Sequence, residues 1–323
     1  MRKEYLNNYQ RPRRRQSRLA LIPRSSRGVA LIAVLWVVLL LSVIAGSLMM
    51  LSRTELGLAH NLVLSAKAEA LAEGGIHLAI NDLLAPDAAV GVSADGSVRQ
   101  VELEAGRLDI SIVDVTGRLD LNAAPPELIA GLFRAAGAEQ DLAETLAGRI
   151  ADWRDTDEIQ RPGGGEQAEY AGYEPPVRVG NGPFLTADEI MRIPGITSDL
   201  WDRIANAVTV HSRRPGVNPL YASEMALLAL PGMDPAAADA IVTARTGPDG
   251  APADQRLRMA EVANLVPPEA RRYLAGGSSN IYAIRARAQL PEGAIYILEA
   301  TIELTPANDP PWRTHEWRPG NGA

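Results

Sequence analysis

The chain has 323 residues, 46% of them apolar and 22% charged, the composition of an ordinary globular protein with room for two modest domains or one domain carrying a large insertion. It contains no cysteine, which excludes a disulfide scaffold, a zinc ribbon, an iron–sulfur site and a thiol nucleophile; its four histidines, at 60, 77, 211 and 315, are too scattered for a histidine-rich metal centre. The net charge of −7 is unevenly spread. Residues 1–28 hold nine Lys/Arg and one acid, Glu4, so the rest of the chain carries −15, and a basic head on an acidic body points to an amino-terminal address, not to a nucleic-acid binder.

From Gly28 to Ser52 no residue is charged. Val29–Leu51, which includes Ala33 and Trp36, is an apolar run of 23 residues; as a helix it would be about 35 Å long and would span a hydrocarbon core with some tilt. The basic residues ahead of it hold the start of the chain in the cytoplasm, so the body is exported. A secretory signal ends in small residues after a shorter apolar core, whereas here Arg27-Gly28 precedes the run. Two readings follow: an uncut signal anchor, or the type IV prepilin class, which this junction resembles. The resemblance implies a prepilin peptidase cutting between Gly28 and Val29, methylation of the mature chain, and retention of the helix in the inner membrane.

Beyond Arg53, Ala68, Leu71, Ala72, Gly75, Ile76, Ala79, Ile80 and Leu83 recur at three- and four-residue spacing, one apolar stripe of a helix. No proline interrupts before Pro86. The pattern predicts a single helix from Val29 to Leu84, half anchor and half support; two helices meeting near Arg53–Gly57 are the alternative. His77 is expected at the surface or at a helix edge. Most of the prepilin class carries a glutamate five residues into the mature chain, where this sequence has Ala33. A carboxylate in a bilayer is tolerated where it pairs with a neighbour, and a subunit lacking it cannot make that contact with a subunit above. The K component of type II secretion systems is known for this absence.

Two hairpins are expected next. Val98–Glu104 and Leu108–Val115 alternate around Ala105-Gly106-Arg107, and Asn280–Leu290 and Ala294–Leu304 alternate around Pro291-Glu292-Gly293, with Trp312–Trp317 as a further edge. Such alternation suits an antiparallel sheet with one face on the long helix and one face wet. Residues 119–279 have a helical texture instead, with similar segments opening at Asp120-Leu121-Asn122 and Asn218-Pro219-Leu220 and with Pro-Gly turns at 194–195 and 231–232.

In order along the chain, the Gly28/Val29 junction, Ala33, AEALAEGG at 68–75, GRLDLNAAPPEL at 117–128, DWRDTDE through GYEPP at 152–176 and the last hairpin resemble the minor pseudopilin K family of type II secretion. Leu220, where the family often has asparagine, and Val29, where the wider class often has phenylalanine, depart from it. The resemblance implies an α+β fold: a pilin-like long N-terminal helix (29–84) packed on an antiparallel sheet (85–118 and 280–323), with a large α-helical domain (119–279) inserted between the strands. It also implies a tip subunit, not an enzyme, that initiates or caps a periplasmic pseudopilus. Its partners would be other minor pseudopilins, and contacts with secreted substrate or the outer-membrane channel belong to the same expectation.

The stretch from Asp152 to Glu158 is dense in carboxylates and runs into a glycine loop, Gly163–Gly165. Clustered acids with freed backbone carbonyls are what calcium needs, although the spacing is not that of an EF-hand. The residues alone leave a calcium site and a solvated acidic loop both open. Members of the K family bind calcium in the inserted domain, so the resemblance implies calcium here, with Asp155, Asp157 and Glu166 as ligands and Asp152 and Glu169 as additions. A membrane-anchored helix-hairpin-helix DNA binder is a second reading of the Pro-Gly turns. Residues 119–250 carry 20 acids and 10 bases, the wrong sign for phosphate, so no nucleic-acid partner is expected. A metal-dependent hydrolase is a third reading; no nucleophile elbow, phosphate loop or metal-binding histidine pair accompanies the acids.

Overall fold

A computed structural model describes residues 26–85, 93–174, 176–246 and 259–320; residues 1–25 of the expected leader lie outside the described residues. The chain divides into two units, Met1–Asn61 and Leu62–Ala323. Helix α1 runs from Ser26 to Leu84, without the break near Arg53–Gly57 that the sequence left open.

In the first unit the helix is apolar and exposed. Val29, Trp36 and Leu51 all stand in the open, and Val29–Leu84 is long and apolar enough to cross a membrane, with a mean hydropathy of 2.9 in its most apolar window. An exposed apolar surface of this extent marks a lipid or protein contact. The Ser42 and Ser47 hydroxyls donate to the carbonyls of Val38 and Ile44, each at 2.8 Å, so neither polar group requires water.

The second unit is α+β. Its sheet has the order β1-β2-β5-β6-β7, where β1 is Asp95–Leu103, β2 Gly106–Asp114, β5 Ile281–Gln289, β6 Ile295–Leu304 and β7 Trp312–Pro319. All neighbours are antiparallel. The first hairpin closes one step earlier than its sequence suggests: Leu103 pairs with Gly106, which leaves Glu104-Ala105 as the turn. Gly106 starts β2 because β5 passes beside it. A Cβ at this position would lie 2.4 Å from the Gln289 carbonyl oxygen.

Strict alternation in β2 buries Leu108, Ile110 and Ile112 on one face, as a half-covered strand requires. These residues meet Ala72, Ile76, Ala79 and Ile80 of α1, together with Ile284, Leu298 and Ile302. Each fully buried Ile or Leu contributes roughly 1.5–3 kcal/mol. His77 lies exposed beside the edge strand, its ring 5.9 Å from that of Trp312.

The other face of the sheet is not simply wet, because the segment between β2 and β5 folds over part of it. This insertion has its own core, built on Leu128, Leu132, Phe133, Leu146, Ile150 and Leu227. Helices α2 (Pro126–Ala135) and α3 (Gln140–Arg154) pack together. Further along come α5 (Ser198–Ile204), α6 (Glu224–Leu228), α7 (Pro235–Thr246) and α8 (Met259–Leu265). A two-residue parallel ladder, β3 (Leu119–Asp120) with β4 (Val208–Thr209), ties its two halves; so short a pair has no periodicity from which to predict it.

The neck where the insertion leaves and rejoins the sheet is closed by one buried acid. Asp114 accepts from the Thr116 N–H and hydroxyl at 2.9 and 2.8 Å and from the Ser279 N–H and hydroxyl at 2.7 and 2.9 Å.

A candidate cation site in the inserted domain

Helix α3 ends at Arg154, and Asp155 takes extended backbone as its C-cap. The chain then loops to Glu166 before the single turn α4, Gln167–Tyr170. Asp152, in the last turn of α3, is fully buried. Its Oδ2 accepts the backbone N–H groups of Arg161 at 3.2 Å and Gly165 at 3.0 Å, while Oδ1 accepts from the Arg161 guanidinium at 2.8 Å. This carboxylate therefore folds the loop. Gly164 has to be glycine for the same reason, since a Cβ there would lie 2.0 Å from Asp152 Oδ2.

Glu169 has a local role as well. Its Oε2 accepts the Glu166 N–H at 2.9 Å and satisfies one of the free donors at the start of α4. Of the five residues singled out from the sequence, the structure thus places Asp152 and Glu169 in hydrogen bonds that shape the loop. The other three converge: Asp155, Asp157 and Glu166 each present an oxygen, and these oxygens lie within 4.8 Å of one another.

The three differ in surroundings. Asp157 is exposed, and its Oδ1 accepts the Ile159 N–H at 2.9 Å. Asp155 is half-buried; Oδ2 is paired with the Arg161 guanidinium, while Oδ1 is buried without a hydrogen-bond partner. Glu166 is buried, and neither of its oxygens makes a full hydrogen bond with a described residue, although its side chain faces the Glu169 N–H across the α4 capping box. Burial, and then the charges of Asp152, Asp155, Asp157 and Glu158, push the Glu166 carboxyl above its ordinary pKa.

Buried polar atoms without partners are rare, because each forfeits its hydration. Partnerless carboxylate oxygens on Asp155 and Glu166, in a cluster where a third acid converges and Arg161 is the paired cation among the described residues, are an environment that a divalent cation would relieve. Calcium binds six to eight oxygens at about 2.3–2.6 Å, so two of its ligands can lie up to about 5 Å apart. The 4.8 Å spread fits that requirement. The donor set is all oxygen, which suits calcium or magnesium better than zinc or copper.

The aromatic residues beside the loop form a floor. Trp153 stacks on Phe184 with centroids 6.3 Å apart and meets Tyr170 edge-on at 6.5 Å. Burial pushes the Tyr170 hydroxyl up to about 12. Tyr173, by contrast, is exposed. Arg154 donates to the Leu121 and Ala124 carbonyls at 2.5 and 2.8 Å, so the helix that carries the acids is bolted to the LNAAPP segment. Neither that bolt nor the countercharge from Arg161 was visible as spacing, since both depend on how the loop closes.

Comparison with known proteins bears on this region directly. The protein-family model for type II secretion system protein K matches residues 106–213, from β2 through the acidic loop. A type II secretion system protein K from Pectobacterium carotovorum subsp. carotovorum is 30% identical over 92 residues, a stretch that spans 28% of this chain and 28% of that relative. A chain in the crystal structure of the GspK-GspI-GspJ complex from the enterotoxigenic Escherichia coli type 2 secretion system aligns with a TM-score of 0.55 over 84% of this chain and 99% of its own length. At 18% identity that match shows a shared fold.

Proposed function

We propose that this chain, whose residues 106–213 match the family model of type II secretion system protein K, works as a minor pseudopilin at the tip of a periplasmic pseudopilus. A peptidase removes the basic leader between Gly28 and Val29. The apolar helix Val29–Leu51 then holds the mature subunit in the inner membrane, with its globular unit on the periplasmic side. Ala33 offers no carboxylate to a subunit above, and the insertion adds bulk to the head, so the subunit initiates or caps the filament that exports folded proteins across the outer membrane.

The observation that carries this reading is the order of parts in one chain: an exposed apolar helix, an antiparallel sheet packed on that helix's continuation, and a K-type insertion between β2 and β5. The solved relative of this fold is in complex with GspI and GspJ, which supports other minor pseudopilins as partners. Within the insertion, Asp155, Asp157 and Glu166 would hold calcium. The ion would supply the positive charge that their buried oxygens lack, and so order a glycine-rich loop with little apolar content of its own. The work of such a subunit is assembly, and it requires no covalent chemistry.

The test is the amino-terminal mass of the membrane-extracted protein from cells with and without the prepilin peptidase. A chain that begins at Val29 only where the peptidase is present is the expected result. An uncut chain in both strains would reduce Val29–Leu51 to a plain signal anchor and remove the filament reading.

A further inference from the structure

Most of the part-buried arginines in the inserted domain have an evident structural task. Arg149 donates to the Pro194 carbonyl, Arg154 to those of Leu121 and Ala124, Arg203 to that of Ala136, and Arg245 to those of Pro219 and Ala222. Each closes a loop or a helix end by giving N–H groups to backbone carbonyls.

Arg118 does none of this. It sits between the 3-10 turn Val115–Gly117 and β3, and its backbone N–H donates to the Val115 carbonyl at 3.1 Å. Its guanidinium makes no hydrogen bond and no ion pair with any described residue, and its Nε is buried. Arg149 and Arg245 also leave Nε without a partner, but both are anchored through Nη1. A planar cation with five donors is costly to desolvate without acceptors, and burial indeed lowers the Arg118 pKa, against the raising influence of Glu299 and Glu316.

Those two acids act from a distance, because both are already engaged. Glu299 pairs with Arg285 at 3.4 Å and with Arg318 at 3.1 Å, and Glu316 lies 3.1 Å from His211 Nε2. Arg118 lines a cavity of about 370 Å³ between the insertion-facing side of the sheet and the insertion itself. The hydroxyl-bearing residues Ser111 and Thr301 line it from the sheet, and Tyr221 and Ser223 from the insertion. The volume falls in the range of small-molecule sites.

We propose that this cavity binds a small carboxylate, clasped by the Arg118 guanidinium with the lining hydroxyls as further donors. Two parallel N–H···O bonds from a guanidinium fork match a carboxylate in both geometry and charge. Arg118 is the lining guanidinium that no described carboxylate meets directly, while Arg285 and Arg318 both pair with Glu299; Asp95 and Glu316 line the same cavity. Water in the cavity would satisfy the N–H donors but, unlike a carboxylate, brings no charge. The site is separate from the acidic loop and does not rest on the filament reading.

The experiment uses the full chain in detergent, with sodium acetate as probe against sodium chloride at constant ionic strength. Thermal unfolding is followed by tryptophan fluorescence. The expected result is a saturable rise in Tm with acetate, and at least a tenfold loss of apparent affinity in Arg118→Gln. Should that variant not fold, the wild-type arginine side-chain Nε–H spectrum provides the second measurement: one buried resonance should shift with acetate at the same midpoint. A Tm that follows ionic strength alone, a variant as responsive as wild type, or no titrating Nε–H resonance would overturn the proposal.

Discussion

The insertion holds two sets of buried carboxylates that the chain treats in opposite ways. Asp120 is fully buried and fully answered: the Asn122 and Ala123 N–H groups donate to Oδ1 at 2.8 and 3.1 Å, and the Ser212 hydroxyl and Arg213 N–H donate to Oδ2 at 3.2 and 2.7 Å. Asp114 at the neck is closed by four donors in the same manner. Among the described residues, none makes a full hydrogen bond to Glu166 or to the free oxygen of Asp155, both buried. One chemical group thus serves two ends. Where the chain provides its own donors, the acid is a structural pin; where it withholds them, the acid is left open to the cation proposed above.

If that distinction holds, the largest effect comes from removing a pin. Asp120→Ala leaves four donors facing an apolar side chain and should cost on the order of 3–5 kcal/mol, read as a lower Tm of the full chain in detergent, equally with chelator and with calcium. A substantial rescue by calcium would break the comparison.

Next in size is the response of the acidic loop to the ion. Calcium at a hundredfold excess over its Kd should stabilise the wild type by about 2.7 kcal/mol. Glu166→Gln should lose that response, yet be no less stable than wild type in chelator, because it removes a buried charge that nothing answers. A variant weaker than wild type in chelator would show that Glu166 is a pin after all.

Gly164→Ala tests the frame that holds the ligands. Its new methyl would press on the Asp152 carboxylate, an overpacking cost of about 1–3 kcal/mol. Calcium affinity should fall with it, as the loop that presents Glu166 moves. An unchanged calcium midpoint would separate Asp152 from the site.

The smallest effect belongs to a third kind of acid, the half-buried ones paired with cations. Glu316 is held below the usual carboxylate range chiefly by its hydrogen bond with His211, and Glu303 chiefly by its hydrogen bond with Arg313. For an acid whose folded pKa is depressed, the stabilisation is complete above the unfolded value near 4.3 and is lost as pH falls through the folded one. Glu316→Gln should lower the near-neutral plateau of the Tm–pH profile by about 1 kcal/mol or less and leave the profile at pH below the folded pKa almost unchanged, so that the acid limb flattens.

The sequence was most legible where a period repeats. The uncharged run from Gly28 and the Ala72/Ile76/Ile80 stripe predicted α1, and alternation predicted four strands and the edge Trp312–Trp317. It was less legible where single contacts decide. The first turn moved to Glu104-Ala105 because β5 crowds Gly106, a fact held 180 residues downstream. The two-residue β3 and β4 carry no pattern.

The acidic loop shows the same divide. Density of oxygen donors singled out the segment in which three carboxylates converge, but which carboxylates converge depends on how the loop closes. Asp152 and Glu169 look no different from Asp155 in the sequence, and only their backbone partners tell them apart. Arg118 gave no signal at all, since a cavity between two parts of a fold has no local spacing.

One measurement bears on the contrast most directly: calcium titration calorimetry of the full chain in detergent, wild type beside Glu166→Gln. The account predicts saturable binding to the wild type and none to the variant, with the variant's unfolding transition intact in chelator. Equal binding by both proteins, or none by the wild type, would contradict it and leave the partnerless oxygens of Asp155 and Glu166 as a buried cost without a ligand.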